Sequence, residues 1–168
     1  SDVYKRQSVS CSGGEASLVS DICKNISLKF PKFSKEKSTK ISKTLGELVK
    51  ISNPLDYHTF IWGNQKKMNE LFVAICEKVN DLIIFVFDVP RNDRCDPTSF
   101  KCGIEAIIHA KKKTNAKIAV VSSISESMTE DLAEVFRKNQ ILPLGGLKTG
   151  LRAIELSNKS FLFSKKVD

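Results

Sequence analysis

Apolar residues recur at helical spacing in six segments of the chain, which predicts six helices. The second of them is expected to turn Ile41, Leu45, Leu48 and Val49 toward the core. Ser127 and Glu130 have the spacing of a capping box, so the fifth helix is expected to begin there. The helices are predicted from about Glu15, over about 34–45, 65–79 and 97–113, after Ser127, and from about Leu147.

Continuous apolar runs rich in β-branched and aromatic residues stand between these helices. The runs at 82–89 and 117–122 predict strands buried on both faces, as in a parallel sheet. Shorter strands are expected at 28–30, which Pro31 closes, and at 141–144. Strands therefore alternate with helices, which predicts an α/β fold in three layers: an open, mostly parallel sheet with helices on both faces.

The first seven residues, SDVYKRQ, lack the apolar run that a buried first strand needs. The heptapeptide can be back-translated into the transposon end used in sequencing-library adapters. We therefore expect residues 1–7 to be translated adapter and the native chain to enter at Ser8, with an ordinary polar N-terminus as the alternative. This interpretation leaves one domain at 8–156 and a tail or linker at 157–168.

Length and composition indicate a soluble cytoplasmic domain. The chain has 168 residues, without an apolar run of transmembrane length or a signal-peptide pattern. Its five cysteines are odd in number and lack CxxC spacing, which favours free thiols in a reducing compartment and argues against a metal site.

The net charge of +8 raises the question of nucleic-acid binding. Only five of the 27 basic residues are arginine, and the lysines are scattered over the predicted helix surfaces. No aromatic residues interleave with the basic clusters as stacking platforms require. We expect no nucleic-acid partner, although a small polyanionic ligand is compatible with this charge.

Candidate chemistry lies where the predicted strands end, because ligands of open parallel sheets bind outside the carboxyl ends of the strands. SCSGG at 10–14 precedes a helix, whose free N–H groups and dipole favour an anion. The loops at 88–97 and 122–127 fall at the same edge, and Arg91 in the first can grip a carboxylate or phosphate with its fork. The NPLDYH loop at 53–58 is long for so compact a fold, which also suggests function.

Each of these features has a purely structural alternative. The two glycines of SCSGG can simply make a tight turn, the Asn53-Pro54 dipeptide is first of all a turn signal, and Arg91 can be a surface residue. His58 and His109 have no partner motif that indicates a base or a nucleophile. The sequence has no Ser-His-Asp set, no metal-ligand cluster and no Walker phosphate loop.

Six motifs stand in a recognisable order: SCSGGEASLVSD, LKFP, ISNPLDY, FDVPRNDRCDP, VVSS and ILPLGGLKTGLRAIE. Over residues 9–155 they resemble one module of the acyl-CoA synthetases that form a nucleoside diphosphate, as in the acetyl-CoA synthetase (ADP-forming) family. That family is distantly similar to succinyl-CoA synthetase. The module in question is the second flavodoxin-like ligase domain, and the specificity lies in the order of the motifs.

The resemblance implies chemistry in steps, in which a histidine on a partner module is phosphorylated and an acyl phosphate and then acyl-CoA are formed. The phosphohistidine is expected between the N-termini of two facing helices, one on the preceding module and one after the SGG turn here. The turn would then hold the phosphoryl group or acyl phosphate by backbone N–H groups of Ser12, Gly13 and Gly14. Residues implied to line the pocket for the acid substrate are Asn53, Asp56 and Arg91.

The chain departs from the complete enzymes in three ways. It has no histidine in the serine- and threonine-flanked motif of the phosphorylated residue, no ATP-grasp domain and no dinucleotide-type domain for CoA. The resemblance therefore implies half a site, with no catalytic residue and no bound cofactor in this chain. ATP, Mg and CoA would be used by the parent enzyme, whose other modules would be the partners, and no membrane partner is expected.

Two other functions remain open from the residues alone. A receiver-like signalling domain would also be doubly wound, with Asp88 after a central strand and Lys148 after the last, but SCSGG lacks its acidic pair. A flavin-binding flavodoxin would use a hydroxyl-rich phosphate loop with aromatic walls, which SCSGG and Trp62 match weakly.

Overall fold

The computed structural model describes residues 6–78, 82–91 and 93–164, with side chains as far as residue 158. A 3₁₀ turn at Ser125–Ser127 precedes the fifth helix. The elements in chain order are β1 (Gln7–Ser10), α1 (Gly13–Cys23), α2 (Lys35–Leu45), β2 (Leu55–Asp56), α3 (Gln65–Cys76), β3 (Leu82–Val86), α4 (Thr98–Thr114), β4 (Lys117–Val121), α5 (Glu130–Lys138), β5 (Leu142–Leu144) and α6 (Leu147–Ser164).

The five strands form one parallel sheet in the order β2-β1-β3-β4-β5. This is the strand order of flavodoxin-like folds, so the predicted fold class is confirmed. β3 and β4 pair in parallel along their whole length, from Leu82 opposite Lys117 to Val86 opposite Val121. The intervening α4 makes the crossover that parallel neighbours require.

Helices cover both faces of the sheet because the central strands are apolar on both sides. Ile83 and Phe85 point into the core shared with α2, α3, α4 and α5. Ile84 and Val86 point into the smaller core shared with α1 and α6. The run at 82–89 was therefore correctly interpreted as a strand buried on both faces, although the strand itself ends at Val86. Within the described residues, none of the helices combines the length and the apolar character that a bilayer crossing needs.

The predicted strand at 28–30 is wrong. Only Lys29 makes a single bridge there. The strand that takes its place in the sheet is β2, which lies inside the segment expected to be a loop. Within the segment, the Lys29 carbonyl accepts from the Arg6 N–H at 3.3 Å. On either side of it, the Ser27 N–H donates to the buried Glu155 carboxylate, and the Pro31 carbonyl accepts from the Asn53 amide.

Two helix boundaries also differ from the prediction. The capping box at Ser127 is wrong, because α5 is capped by the Thr129 hydroxyl, which accepts from the Leu132 N–H. Leu48 is 93% exposed because α2 ends at Leu45, where Gly46 turns the chain with a φ of +85°. α3 ends at Cys76, and Val79, the last residue expected in that helix, lies outside the described residues.

α6 continues to Ser164 and so enters the segment 157–168 that was expected to be a tail or linker. Gln7 belongs to β1, where it pairs with Ile83, and Arg6 is buried. The other residues of the proposed adapter, 1–5, lie outside the described residues, and its origin stays a prediction.

α4 approaches the end of β3 closely, and from this we predict an effect on stability. A Cβ on Gly103 would lie 2.5 Å from two ring atoms of Phe87, which is buried. We expect Gly103→Ala to lower the free energy of unfolding by about 1–3 kcal/mol, despite the higher helix propensity of alanine. Urea denaturation measures the change.

The matched control is Gly14→Ala in α1, where the new Cβ would meet Ser12 Oγ at 3.4 Å, an ordinary contact. That variant should keep the wild-type midpoint. An unchanged midpoint for Gly103→Ala would contradict the tight packing of α4 against Phe87.

Candidate functional site

The register of the sheet brings three predicted loops to one edge. β1 lies between β2 and β3, with Ser10 opposite Asp56 and Val9 opposite Phe85. Because the strands are parallel, their carboxyl ends meet at the same edge of the sheet. The SCSGG turn, Asp56 and the loop that begins after Val86 therefore lie together, as expected for ligand sites in this fold.

The SCSGG turn is built as a helix start. Ser12 caps α1, with its hydroxyl accepting from the Gly14 N–H at 3.2 Å. The buried Ser10 donates its hydroxyl to the Ser12 carbonyl at 3.1 Å, which ties the turn to the end of β1. Gly13 and Gly14 are exposed at the first turn of the helix, so an external group can reach their backbone.

Gly13 is needed because the Asp56 carboxylate lies against it. A Cβ at this position would stand 3.2 Å from Asp56 Oδ2, closer than most real contacts of a Cβ. The same carboxylate accepts from the His58 backbone N–H at 2.8 Å through Oδ1, and its Oδ2 lies 3.5 Å from His58 Nδ1. Asp56 thus connects the start of α1 with the imidazole of His58.

Glu15, in the first turn of α1, was not singled out from the sequence. Burial, and then the charges of Asp88 and Asp56, raise the pKa of Glu15 to about 7. Its Oε2 is buried without a hydrogen-bond partner among the described residues. Three carboxyl groups, Glu15, Asp56 and Asp88, therefore gather at this edge. The usable sequence signal was an acidic residue directly after a glycine pair at a helix start.

Two further groups, the buried Tyr57 and the half-buried Cys11, border the carboxyl cluster. Tyr57 is 1% exposed, and its hydroxyl has no hydrogen-bond partner in the described part of the chain. Burial and the nearby charges of Cys11, Glu15 and Asp56 raise the Tyr57 pKa well above its usual value. Burial, and next Glu15, also raise the pKa of the Cys11 thiol to about 11, so this thiol is not a ready nucleophile.

The loop after β3 is tied to the loop after β4. Asp88 Oδ1 accepts from the Ser123 backbone N–H at 2.9 Å, which holds the DVP and SSIS segments together. The described residues contain no group of His, Cys, Asp or Glu side chains arranged to hold a metal ion.

Asn53 does not join the other predicted site residues. Its side-chain carbonyl accepts from the Ser8 N–H at 3.0 Å, and its amide nitrogen donates to the Arg6 and Pro31 carbonyls, each at 2.8 Å. These partners lie toward the start of β1, away from the SCSGG turn. Asn53 therefore links the start of β1 to the segment around Pro31.

Arg91 lies on the expected loop, but its fork already has a partner. Nε and Nη2 donate to the two carboxylate oxygens of Asp93 at 2.9 and 2.6 Å. The Arg91 side chain is 69% exposed, so the pair stands in solvent, where such ion pairs contribute little to stability. An incoming anion competes with Asp93 for this arginine.

Concave surface is found elsewhere as well. An open groove of about 880 Å³ lies at the C-terminal end of α1, where Cys23, Lys24 and Pro54 are among its lining residues. It is at the opposite end of α1 from the glycines. The SCSGG turn, by contrast, lies at the carboxyl edge of the sheet, and its glycines are exposed.

Solved structures of similar fold are found, whereas no protein-family model and no curated protein sequence matches the chain. PH0766 from Pyrococcus horikoshii matches with a TM-score of 0.68 and 18% identity, over 86% of this chain and 33% of that one. Dinucleotide-forming acetyl-coenzyme A synthetase 1 of Ca. Korarchaeum cryptofilum, in complex with phosphate and ADP, gives 0.62 and 14%, over 86% of this chain and 30% of that one.

The apo form of the same korarchaeal enzyme gives a TM-score of 0.62 and 13% identity, over 88% of this chain and 31% of that one. At these identities the similarity establishes the fold. The chain spans about a third of the length of the structures it matches.

Folding raises the pKa of Glu15 from 4.5 to about 7, so the folded state favours its protonated form. This contribution to stability is fully present below pH 4.5 and is lost as the pH rises through 7. Glu15→Gln imitates the neutral form, and we expect it to exceed wild type in stability at pH 8 by roughly 1 kcal/mol. The figure is below the full conversion of the pKa shift because the side chain is partly exposed.

Urea midpoints at pH 8 and pH 5 measure this effect, and the difference between the two proteins should shrink toward the lower pH. Glu47→Gln, at an exposed carboxyl group after α2, is the control and should not change the pH profile. Equal midpoints for Glu15→Gln and wild type at pH 8 would contradict a buried, proton-holding Glu15.

Proposed function

We propose that this chain is a ligase-type domain of a nucleoside-diphosphate-forming acyl-CoA synthetase, and that it supplies one half of the site for the phosphoryl group. The parent enzyme would convert a carboxylic acid, ATP and CoA to acyl-CoA, ADP and phosphate. The observation that supports this most is the exposed glycine turn at the start of α1, on a fold that matches about a third of an acetyl-CoA synthetase.

The turn suits a phosphoryl group because of its backbone. N–H groups at a helix start point outward, and the helix dipole adds partial positive charge, so the position favours a phosphate or acyl phosphate. Gly13 and Gly14 carry no side chains of their own, although the Asp56 carboxylate lies against Gly13 and the Gly14 N–H already donates to the Ser12 hydroxyl, so an incoming group competes with both. The exposure of the turn fits a site that another module completes.

The carboxyl groups around the turn oppose an anion, and protonation of Glu15 reduces this repulsion. A protonated Glu15 carries no charge, and its hydroxyl can donate a hydrogen bond to a phosphoryl oxygen. Its Oε2 has no hydrogen-bond partner among the described residues, but the atom is buried, so the side chain would have to move outward to make this contact. The Asp56 carboxylate lies 3.5 Å from His58 Nδ1.

Fewer residues then line the pocket proposed for the acid substrate than the resemblance implied. Asp56 borders the turn, and Arg91 can reach an anion once it releases Asp93. Asn53 has a structural role, since its polar atoms are already bonded to backbone groups. ATP, Mg and CoA would be held by other modules of the same enzyme, which are the partners we propose, in the cytoplasm.

A receiver-like signalling domain is the second candidate, favoured by one specific observation. Glu15 and Asp56 lie close enough to Asp88 to supply the acidic group that SCSGG lacks. Against it, no metal-holding cluster is found in the described residues, and Asp88 already accepts from Ser123. Phosphorylation of Asp88 by acetyl phosphate with Mg²⁺ would favour the receiver over the ligase domain.

In the complete multidomain enzyme, we expect Gly14→Val to lower acyl-CoA formation by roughly two orders of magnitude, because a side chain obstructs the approach of the phosphoryl group. The fold should survive, since even the first carbon of the new side chain meets only Ser12 Oγ at an ordinary distance. ADP release that depends on acid, ATP and CoA measures activity, and circular dichroism verifies folding. Near-normal turnover by a folded Gly14→Val enzyme would refute the role of the turn.

We also expect the isolated chain to form no acyl-CoA from an acid, ATP and CoA, because it lacks the nucleotide and CoA modules. Adding the missing modules as separate proteins should restore ADP release, whereas adding bovine serum albumin should not. ADP-forming turnover by the chain alone would contradict the proposal that it supplies only one half of the site.

A further inference from the structure

Two arginines in the loop after β3 share one carboxylate. Asp93 accepts from Arg91 Nε at 2.9 Å and from Arg91 Nη2 at 2.6 Å, which is the two-point contact of an arginine fork. Arg94 Nε lies 3.9 Å from Asp93 Oδ2, the same oxygen that accepts from Arg91 Nη2. One carboxylate is therefore bound by a complete guanidinium fork and lies within ion-pair distance of a second guanidinium group.

The backbone of the loop brings these three side chains together. The Arg91 carbonyl accepts from the Arg94 N–H at 3.1 Å and from the Cys95 N–H at 3.0 Å, which closes the loop into a single turn. Just before this turn, Asp88 Oδ1 accepts from the Ser123 backbone N–H at 2.9 Å. The shared carboxylate thus belongs to a loop that is closed on itself and bonded to its neighbour.

The turn follows a strand end at the edge of the sheet where ligands of this fold bind. β3 runs parallel to β1 and β4, so the loop after it emerges at the same edge as the SCSGG turn and the loop after β4. The Asp93 side chain is 51% exposed, and both arginine side chains are more exposed. A dissolved molecule can therefore reach all three groups, and an exposed ion pair exchanges its partner at little cost.

The carboxylate that occupies the fork indicates the class of ligand. An aspartate side chain ends in a CH₂ group and a planar carboxylate, which is also the reacting end of a small aliphatic acid. A fork of two N–H donors matches this planar group, which a point charge such as a lysine does not do. Asp93 therefore occupies the place in the fork that the carboxylate of a small acid would take.

We propose that Asp93 is an internal competitor of the acid substrate and sets the affinity of a carboxylate site formed by Arg91 and Arg94. This inference rests on the proposed function, in which Arg91 lines the pocket for the acid, and adds Arg94 as a second cation and Asp93 as the residue that determines affinity. The ligand is a small aliphatic monocarboxylate. It binds by displacing Asp93 from the fork, so its affinity is lowered by the strength of the ion pair that it replaces.

Titration of the purified chain with sodium acetate at constant ionic strength tests the site, with the NMR signals of the arginine Nε–H groups as the readout. Asp93→Asn removes the competing charge, and we expect the dissociation constant of acetate at the Arg91 signal to fall by about three- to fivefold, the effect of losing one exposed ion pair. Arg137 and Arg152, which pair with glutamates elsewhere in the fold, are internal references whose signals should not respond.

Asp21→Asn is the matched control, because it removes the same charge and releases a different cation. Asp21 pairs with Lys24 at 2.7 Å near the C-terminal end of α1, and both side chains are exposed. In this variant, acetate should bind at Arg91 as in wild type. Equal tightening by Asp21→Asn and Asp93→Asn would mean that net charge alone acts, and would overturn the competition within the loop.

Arg91→Lys separates competition for the fork from the charge of Asp93, since lysine keeps the positive charge and loses the two-point contact. When Arg91→Lys is already present, most of the gain from Asp93→Asn should disappear, as measured at the Arg94 signal, because coupled residues are not additive. A gain of the same size in this background would contradict the proposal.

Methanesulfonate tests the class of ligand, because it carries the single charge of acetate on a tetrahedral group. We expect it to gain less affinity than acetate from Asp93→Asn. An equal or larger gain would contradict a site shaped for a planar carboxylate.

The complete multidomain enzyme separates this inference from the proposed function. In Asp93→Asn, KM for the acid should fall by the same factor as the dissociation constant of acetate, while KM for CoA stays at the wild-type value. Tighter acetate binding by the chain with an unchanged KM for the acid would support the competition and reject the role of Arg91 in the pocket for the acid substrate.

Discussion

The parallel pairing of β1 with both β2 and β3 is the constraint on which the candidate site depends. Val9 stands opposite Leu55 on one side and Phe85 on the other, and all three are buried. A slip of one residue would move Val9 to the other face of the sheet, so the register is strongly specified. This register in turn brings Asp56 to Gly13 and Glu15 close to Asp88.

Charge at this edge follows from the same geometry. A helix start favours negative charge, and the chain places Asp56 there itself, against a glycine that leaves it room. Adding Glu15 and Asp88 to the same edge costs free energy, which protonation of Glu15 reduces. The imidazole of His58 lies beside this edge, 3.5 Å from Asp56.

The two faces of the sheet have different roles in building this edge. The larger core, with α2 to α5, anchors Tyr57 and Phe87 at the ends of their strands. The smaller core, with α1 and α6, fixes the helix whose first turn forms the site, through Val19 and its neighbours. The glycines of this first turn remain exposed.

The sequence by itself determined the parallel α/β architecture, because a strand buried on both faces leaves a continuous apolar run, as at 82–89, and an amphipathic helix leaves a helical period, as along α3. It also identified the SCSGG turn and the loops that share its edge. Tertiary structure alone decided the rest. A two-residue edge strand such as β2 has no period to detect, so 28–30 was chosen instead of Leu55 and Asp56. The role of Asn53, the partner of Arg91, the buried Glu15 and the pairing of His58 with Asp56 all depend on contacts that register and turn geometry create in three dimensions, which residue type and spacing do not encode.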